Sequence, residues 1–464
     1  MKASRGVLLV ALGLLAIVAL VDIARLGNAL PWRQLYDFSD FYCAGAALDR
    51  GHDPYRYEPL HACEHAVNAG AAYRSDPRRV VPAPLPPYDL PPFMLVARSS
   101  FGMARTIGAA GIVLALVATL WGLSLLELPI DVAALALLLP GGYVLLNAGQ
   151  VVPYALACLV LCGVALARGR DALAGVLAAL TLIEPHLGLP VCAALLVWVA
   201  RSRVALLATA LALFAIGALV VGGTGIIEYV TRVLPAQAAA ESGYAYQYSL
   251  TYLLRTLGVP AAPALLAGEI SYAGALILAV WIGNRAAGSL GRRELLALLP
   301  GGCSVIAGAY VHMVDLAFAL PATLVLAMAL RGRAKAVATV ALCLLAVPWI
   351  PVWITKKLFL VTLFVVAVLL LRLGARPALG VPVFLGIAAT IYALELAPPP
   401  PLVAITPGPI SPTDLAQDAW RQYVAALGAP SLGWLAVKFP TWAALGAMLA
   451  AAATALHNGE SERA

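Results

Sequence analysis

Apolar runs of about 15 to 22 residues recur from one end of the chain to the other, and a helix needs roughly 20 such residues to cross a bilayer. Of the 464 residues, 62% are hydrophobic and only 11% are charged. Soluble domains carry about 25% charged residues, so this composition excludes a water-soluble globular domain. The pattern predicts an all-α polytopic membrane protein, a multi-spanning helical bundle.

The basic residues occur in short clusters between the apolar runs, for example at Arg168–Arg170 and Arg331–Arg333. Such clusters are typical of cytoplasmic turns. The formal net charge of +7 therefore reflects membrane orientation, and we expect membrane lipids and no nucleic acid as partners. Counting from these turns gives about 14 crossings, with 12 or 13 open as alternatives.

This orientation divides the chain into segments that alternate between the membrane and its outer side. They are 1–27 (first transmembrane helix), 28–103 (first extracytoplasmic loop), 104–222 (transmembrane helices), 223–263 (second outer loop), 264–396 (transmembrane helices), 397–438 (third outer loop) and 439–464 (last helix and cytoplasmic tail). Within the membrane segments, 172–200 and 295–330 are predicted hairpins with apexes at Glu184–His186 and Tyr310–Asp315, both on the outer side.

The first loop opens with a polar and aromatic stretch, Asp37–Tyr55. Asp37 is placed either to cap a short helix or to act as a base, and a free aspartate is ionised above pH ~3.9. Asp40 lies three residues on, and 44–47 give a small-residue face that can pack closely. The proline-dense segment 81–93 is expected to have no helix or strand.

The same stretch resembles the start of the first outer loop in glycosyltransferase family 87, whose members are multi-spanning GT-C enzymes. The residues that carry the resemblance are Asp37, Phe38, Phe41, Tyr42, Ala44, Gly51, Pro54 and Tyr55. The resemblance implies a GT-C-like bundle, sugar transfer from a polyprenyl-phosphate donor with inversion, and Asp37 as the catalytic base.

The resemblance also implies substrate-binding residues in later segments. Gln150 resembles the family's Gly-Gln after the third span, Gln247 its polar stretch in the second loop, and His312 a histidine at the outer end of a late span. With the polar apex residues, the predicted binding set is Asp40, Tyr42, Gln150, Glu184, His186, Gln247, His312 and Asp315. All fall on the predicted outer side, which favours one extracytoplasmic site.

One position departs from the family. Glu184 stands where family members often carry a lysine suited to the donor phosphate, and a carboxylate cannot bind phosphate unaided. Arg232, Arg255 or an arginine of the first loop is then expected to supply the positive charge.

Two further features bear on metals and redox state. Residues 61–65 match the H-x-x-E-H pattern of an inverted zinc protease, which we interpret as chance because no third ligand is evident. We expect no metal and no cofactor. Cys43 and Cys63 lie together in the first loop, and an extracytoplasmic location would favour a disulfide between them.

The sequence thus predicts an enzyme of the cytoplasmic membrane, with its active site on the extracytoplasmic face. It would transfer a sugar, mannose or arabinofuranose first among the candidates, to a glycolipid or lipid-linked glycan. The alternatives are a lipid-linked oligosaccharide ligase or polymerase, and a transporter or flippase. A transporter is expected to show repeats and broken helices at the membrane midplane.

Overall fold

The computed structural model describes residues 35–68, 78–350, 408–428 and 432–461, with a few isolated positions besides. Within these ranges the regular structure is helical, and β pairing is limited to two isolated bridges. The predicted spans near 358–372 and 378–396, and most of the first predicted helix, lie outside the described residues.

Three helices form the described part of the first loop, and fourteen follow. Their bounds are α1 Phe38–Asp49, α2 Tyr57–Val67, α3 Leu90–Ala97, α4 Phe101–Leu125, α5 Ile130–Leu139, α6 Val152–Ala167, α7 Asp171–Leu180, α8 Pro185–Trp198, α9 Arg203–Glu228, α10 Leu234–Glu241, α11 Leu250–Thr256, α12 Ala261–Leu290, α13 Leu295–Cys303, α14 Ala319–Ala329, α15 Gly332–Leu345, α16 Ala416–Ala426 and α17 Leu432–Ser461.

Four stretches of the described chain are long and apolar enough to cross a membrane: Phe101–Leu125, Ala200–Glu241, Ala261–Leu290 and Leu432–Ala455. Their mean hydropathy runs from 1.4 to 2.7, and large apolar side chains such as Leu219 and Ile277 face outward. Exposed apolar surface on this scale, on helices long enough to cross a bilayer, is typical of faces that contact lipid. The protein is therefore a helical, membrane-embedded protein.

Both predicted hairpins are present as pairs of short helices. Helices α7 and α8 meet at Glu184, with Pro185 opening α8 at a position where its missing N–H costs nothing. Helices α13 and α14 are separated by a segment that contains His312 and ends in a short 3-10 helix, Asp315–Phe318. Each of these helices is shorter than the roughly 20 residues of a full crossing, and the number of crossings stays a prediction.

Two segments differ from expectation. Leu90–Ala97 is a helix although it contains Pro91 and Pro92, because both prolines lie in the first turn, where no N–H partner is needed. The second loop is also largely helical. α9 breaks at Gly222, where φ is +75°, but the chain then continues in helical turns as far as Glu241.

A smaller apolar cluster packs beside the main helical core. It joins α1 and α2 to Val80, Leu85 and the start of α16. The predicted small-residue face of α1 does pack closely, since a Cβ on Gly45 would lie 2.4 Å from the backbone of Phe93. Cys43 and Cys63 form a disulfide that ties α1 to α2, as hypothesised from the sequence.

Candidate functional site

A cavity of about 360 Å³ lies where the first-loop helices meet the membrane bundle. Ligand pockets in proteins commonly start near this size. Six of the residues predicted from sequence line it, although they come from four separate parts of the chain. They are Asp37, Asp40, Gln150, Glu184, His186 and His312.

Asp37 stands at the N-cap position of α1, but its carboxylate makes no capping hydrogen bond. Its Oδ2 instead accepts a hydrogen bond from Gln150 Nε2, and its backbone N–H donates to Ala148 O at 2.8 Å. Burial raises the pKa of Asp37 to about 6, while the Gln150 hydrogen bond and the charge of Arg79 oppose that rise. The ordinary pKa of a free aspartate, ~3.9, therefore does not describe the buried Asp37.

Asp40 is buried one turn along the same helix and accepts a hydrogen bond from Ser39 Oγ at 3.0 Å. Burial, followed by the neighbouring charges of Glu64 and Asp37, holds its pKa well above the ordinary value. Such a shift favours the protonated form of Asp40 relative to an ordinary aspartate. Asp40 can then donate a hydrogen bond to a ligand, but it is a poor candidate for the base.

The two hairpin apexes meet across the cavity through a chain of polar contacts. His186 Nε2 lies 3.0 Å from Asp315 Oδ2, and its Nδ1 lies 3.6 Å from Glu184 Oε2. The same Asp315 oxygen accepts the backbone N–H of His312 at 2.6 Å. Asp315 therefore lies behind the lining, where it contacts the imidazole of His186 and holds the backbone at His312.

Gln247 also supports the cavity wall from behind. It forms an isolated β-bridge with His312, and its side chain accepts from Val311 N–H and donates to Glu241 Oε2 at 3.1 Å. Burial lowers the pKa of His312 to about 4, so this imidazole is neutral. Lys438 of α17 donates to the backbone oxygen of Gln247 from a fully buried position.

Tyr42 does not line the cavity, contrary to its predicted role in binding. Its hydroxyl donates to Ser99 O at 3.0 Å, and its ring packs edge-on against Phe101 at 5.2 Å. Helical geometry explains the error. Asp37 and Phe41 lie four residues apart on the face of α1 that lines the cavity, and Tyr42 points to the next face.

Sequence reasoning missed part of the lining: Glu241, Tyr244, Tyr310 and Trp420. Tyr244 packs against Trp420 at 5.4 Å, and Tyr310 lies edge-on to His186 at 5.5 Å between ring centroids. Tyr244 lies three residues before Gln247, and Tyr310 lies two residues before His312. Their closeness to these predicted binding residues could have identified both tyrosines from the sequence. No sequence feature pointed to Glu241 or Trp420, because their helices α10 and α16 come into contact only in the folded chain.

Arg79 contributes a guanidinium group to the lining of the cavity. Among the described residues, it is the one arginine or lysine in the lining. Arg232 is exposed and paired with Glu228 at 3.0 Å, while Arg255 donates to Val259 O beyond the cavity. Of the arginines proposed from the sequence, the first-loop candidate is the one at this site.

The H-x-x-E-H residues do not gather around a common point. Glu64 Oε2 accepts the backbone N–H of Val81 at 3.0 Å, and His61 stacks on Tyr57. His65 Nε2 contacts Arg79 O at 3.0 Å. In the part of the chain that the structure describes, no three histidine, cysteine or acidic residues are arranged to hold a metal ion.

The fold and the site together define a membrane-embedded helical protein with a buried cavity lined by carboxyl groups, amides, histidines and aromatic rings. No family model, curated protein or solved structure matches the chain. The resemblance to glycosyltransferase family 87 therefore depends on the motif residues alone.

Proposed function

We propose that the protein is a membrane glycosyltransferase that moves a sugar from a polyprenyl-phosphate donor to a hydroxyl group of a glycolipid or lipid-linked glycan. The observation that carries the proposal is the position of Asp37. Its carboxylate is not used to cap α1, and it faces a cavity where residues from distant segments converge. Carboxyl groups, amides and aromatic faces supply the hydrogen bonds and stacking surface that a sugar requires.

In the proposed reaction, the acceptor hydroxyl attacks the anomeric carbon of the donor sugar. The new C–O bond forms as the bond between that carbon and the phosphate oxygen breaks, and the phosphate leaves with the electron pair. Asp37 takes the proton from the attacking hydroxyl. A base with a pKa near 6 is ionised at pH 7 and is stronger than an ordinary aspartate. A single displacement inverts the anomeric configuration.

Two observations support an extracytoplasmic location for this site. Short basic turns such as Arg168–Arg170 and Arg331–Arg333 lie at the opposite ends of the helices that lead to the cavity, where the positive-inside rule puts the cytoplasm. The Cys43–Cys63 disulfide lies beside the cavity, and disulfides persist mainly in oxidising compartments.

The direct test supplies the purified protein in lipid nanodiscs with polyprenyl-phosphate mannose or arabinofuranose, labelled in the sugar, and a glycolipid extract. We expect label in the acceptor with inverted anomeric configuration, and release of polyprenyl phosphate. A ligase or polymerase would instead transfer a preassembled lipid-linked oligosaccharide. Failure to transfer label from any of these donors would contradict the proposal.

A transporter is a second candidate because α9 is broken at Gly222 within a membrane-spanning stretch. Broken helices of this kind are common at transporter binding sites. The same labelled donors distinguish the two functions in sealed vesicles. A transporter moves label across the membrane without forming a glycosidic bond.

A further inference from the structure

Helix α10 turns one face toward the cavity. Its lining residues follow one another at spacings of three and four, which is the spacing of a single helix face. They are Leu234, Gln237, Ala238 and Glu241. Glu241 is already engaged, because its two carboxylate oxygens accept hydrogen bonds from Trp420 Nε1 and Gln247 Nε2. It therefore fastens the end of this helix to two other parts of the chain.

Gln237, one turn before Glu241, differs from it in this respect. The residue is only 7% exposed, and its enclosed Oε1 has no hydrogen-bond partner among the described residues. A buried polar atom without a partner costs free energy, and most proteins avoid it. Because this one belongs to a residue in the wall of the candidate site, we expect a bound ligand to supply the partner.

The wall beside α10 is mainly apolar. Pro84 and Leu85 line the cavity. The hydroxyl of Tyr229, in the helical turns that lead into α10, donates to Pro84 O at 3.0 Å. The oxygen of Leu85 accepts from the hydroxyl of Tyr55 at 2.8 Å. Since both carbonyl oxygens are already hydrogen-bonded, the amide of Gln237 is set in largely apolar surroundings.

An amide in an apolar wall suits a sugar. A sugar ring offers C–H faces to apolar surfaces and hydroxyl groups that both donate and accept hydrogen bonds. A carboxamide also carries an acceptor and donors, and rotation about its last torsion presents either end to the cavity. A phosphate group without protons has no donor, so it would leave the amide oxygen of Gln237 unpaired.

We propose that Gln237 binds a hydroxyl group of the sugar and determines which sugars the cavity accepts. The inference rests on the proposed function, since that function makes a sugar the ligand. Gln237 is not among the residues that carry the resemblance to glycosyltransferase family 87. Its role is separate from that of Asp37, because an amide takes no proton from the attacking hydroxyl. The hydroxyl belongs either to the donor sugar or to the acceptor sugar.

The first test measures equilibrium binding of octyl mannoside, octyl arabinofuranoside and octanol to the protein in lipid nanodiscs. We expect the wild-type protein to bind one glycoside more tightly than octanol. Gln237→Met keeps the length of the side chain but not the amide, and should weaken that glycoside about 10-fold with octanol binding unchanged. Gln237→Asn withdraws the amide by one methylene and should lose part of the preference. The matched control is Gln422→Met, whose amide oxygen is also enclosed and unpaired but does not line the cavity.

Monodeoxy analogues of the preferred glycoside identify the hydroxyl. Loss of the hydroxyl that Gln237 binds should weaken the wild-type protein about 10-fold and make no further difference to Gln237→Met. Loss of any other hydroxyl should affect both proteins equally. If every deoxy analogue weakens the two proteins by the same factor, Gln237 binds none of these hydroxyls and the inference is wrong.

The stability of the ligand-free protein distinguishes a binding role from a structural one. Gln237→Met removes an amide oxygen that has no partner, so the Tm should stay the same or rise. Glu241→Met, one turn on, removes the acceptor of two hydrogen bonds and should lower the Tm. A fall in Gln237→Met as large as that in Glu241→Met would show that Gln237 stabilises the fold, and would overturn the inference.

Transfer kinetics assign the hydroxyl to its source and separate this inference from the proposed function. Gln237→Met should raise the KM of the donor or of the acceptor, whichever carries the hydroxyl, with kcat and its pH dependence unchanged. If Gln237→Met binds the glycosides like the wild-type protein, the role of Gln237 is overturned while sugar transfer stands. If the wild-type protein prefers neither glycoside to octanol, the sugar site at Gln237 is contradicted, and the labelled-donor assay decides the proposed function by itself.

Discussion

Gln150 donates a hydrogen bond to the carboxylate of Asp37 across 113 residues of sequence. The contact forms because the backbone around Asp37 is hydrogen-bonded to the backbone just before Gln150. The N–H of Tyr36 donates to Asn147 O at 3.1 Å, and the N–H of Asp37 donates to Ala148 O at 2.8 Å. A hydrogen bond to the ionised form of an acid lowers its pKa and fixes the carboxylate orientation. Gln150 therefore opposes the effect of burial and keeps Asp37 usable as a base at neutral pH.

Asp37→Asn tests the catalytic role most directly. The amide preserves the shape of the side chain, so the protein should fold and insert, but it cannot accept the proton of the attacking hydroxyl. We expect at least a ~100-fold loss of sugar transfer with little loss of donor binding. Asp40→Asn should be mild, because an amide closely mimics the protonated carboxyl that burial favours there. If Asp40→Asn lost transfer activity and Asp37→Asn kept it, Asp40 and not Asp37 would be the catalytic base.

The pH dependence of transfer should show an acid limb near pH 6. Asp37 must be ionised to act as base and burial raises its pKa to about 6, so activity should fall as the pH drops through that value. Gln150→Leu removes a hydrogen bond that lowers the pKa, and the limb should move to higher pH. The measurement is kcat/KM against pH for the two proteins. If the acid limb of kcat/KM lay at the same pH in Gln150→Leu as in the wild-type protein, a group other than Asp37 would be responsible for it.

Much of the site was visible in the sequence because its residues lie at the ends and apexes of apolar segments. Glu184 and His312 interrupt hydrophobic runs, and a polar residue in that position is costly unless it has a partner or a function. The basic turns then predicted that these apexes face the same side. In the structure, both Glu184 and His312 line one cavity.

The sequence could not predict which side chains turn toward the cavity or which helices close it. The direction of Tyr42 depends on the rotation of α1, which is set by packing against Phe101. The pKa of Asp37 depends on how deeply the loop buries it, and local composition does not determine burial. Trp420 reaches the site only because α16 packs on α10, where its Nε1 donates to Glu241.

Membrane orientation can be tested with single cysteines at exposed positions. Thr413→Cys, beside the first-loop helices, should react with an impermeant maleimide added to intact cells, and Arg333→Cys should react only after permeabilisation. Background labelling should be low because Cys162, Cys192, Cys303 and Cys343 are buried and Cys158 is partly buried. Labelling of position 333 in intact cells would show that this turn lies outside the cell and that the predicted topology is reversed.

The Cys43–Cys63 disulfide should stabilise the first-loop helices. Its cysteines are separated by 20 residues, and a loop of this size is worth about 3 kcal/mol in the chain-entropy account. We expect the double variant Cys43→Ala, Cys63→Ala to melt at a lower temperature. Adding reductant should lower the Tm of the wild-type protein toward that of the variant. Non-reducing peptide mass spectrometry checks the bond, and two free thiols in protein from native membranes would contradict it.

Gly149 sets the approach of Gln150 to Asp37, and its replacement tests that dependence. Its φ of +76° is unfavourable for any residue with a Cβ, and a Cβ there would lie 3.0 Å from Leu35 Cβ. Gly149→Ala should therefore displace the turn, lower the Tm and reduce transfer, with the acid limb moved to higher pH as in Gln150→Leu. The control is Gly288→Ala in α12, where a Cβ meets nothing within 4 Å and alanine favours the helix by about 1 kcal/mol. If Gly149→Ala and Gly288→Ala had the same transfer activity and the same acid limb, the turn at Gly149 would not affect the pKa of Asp37.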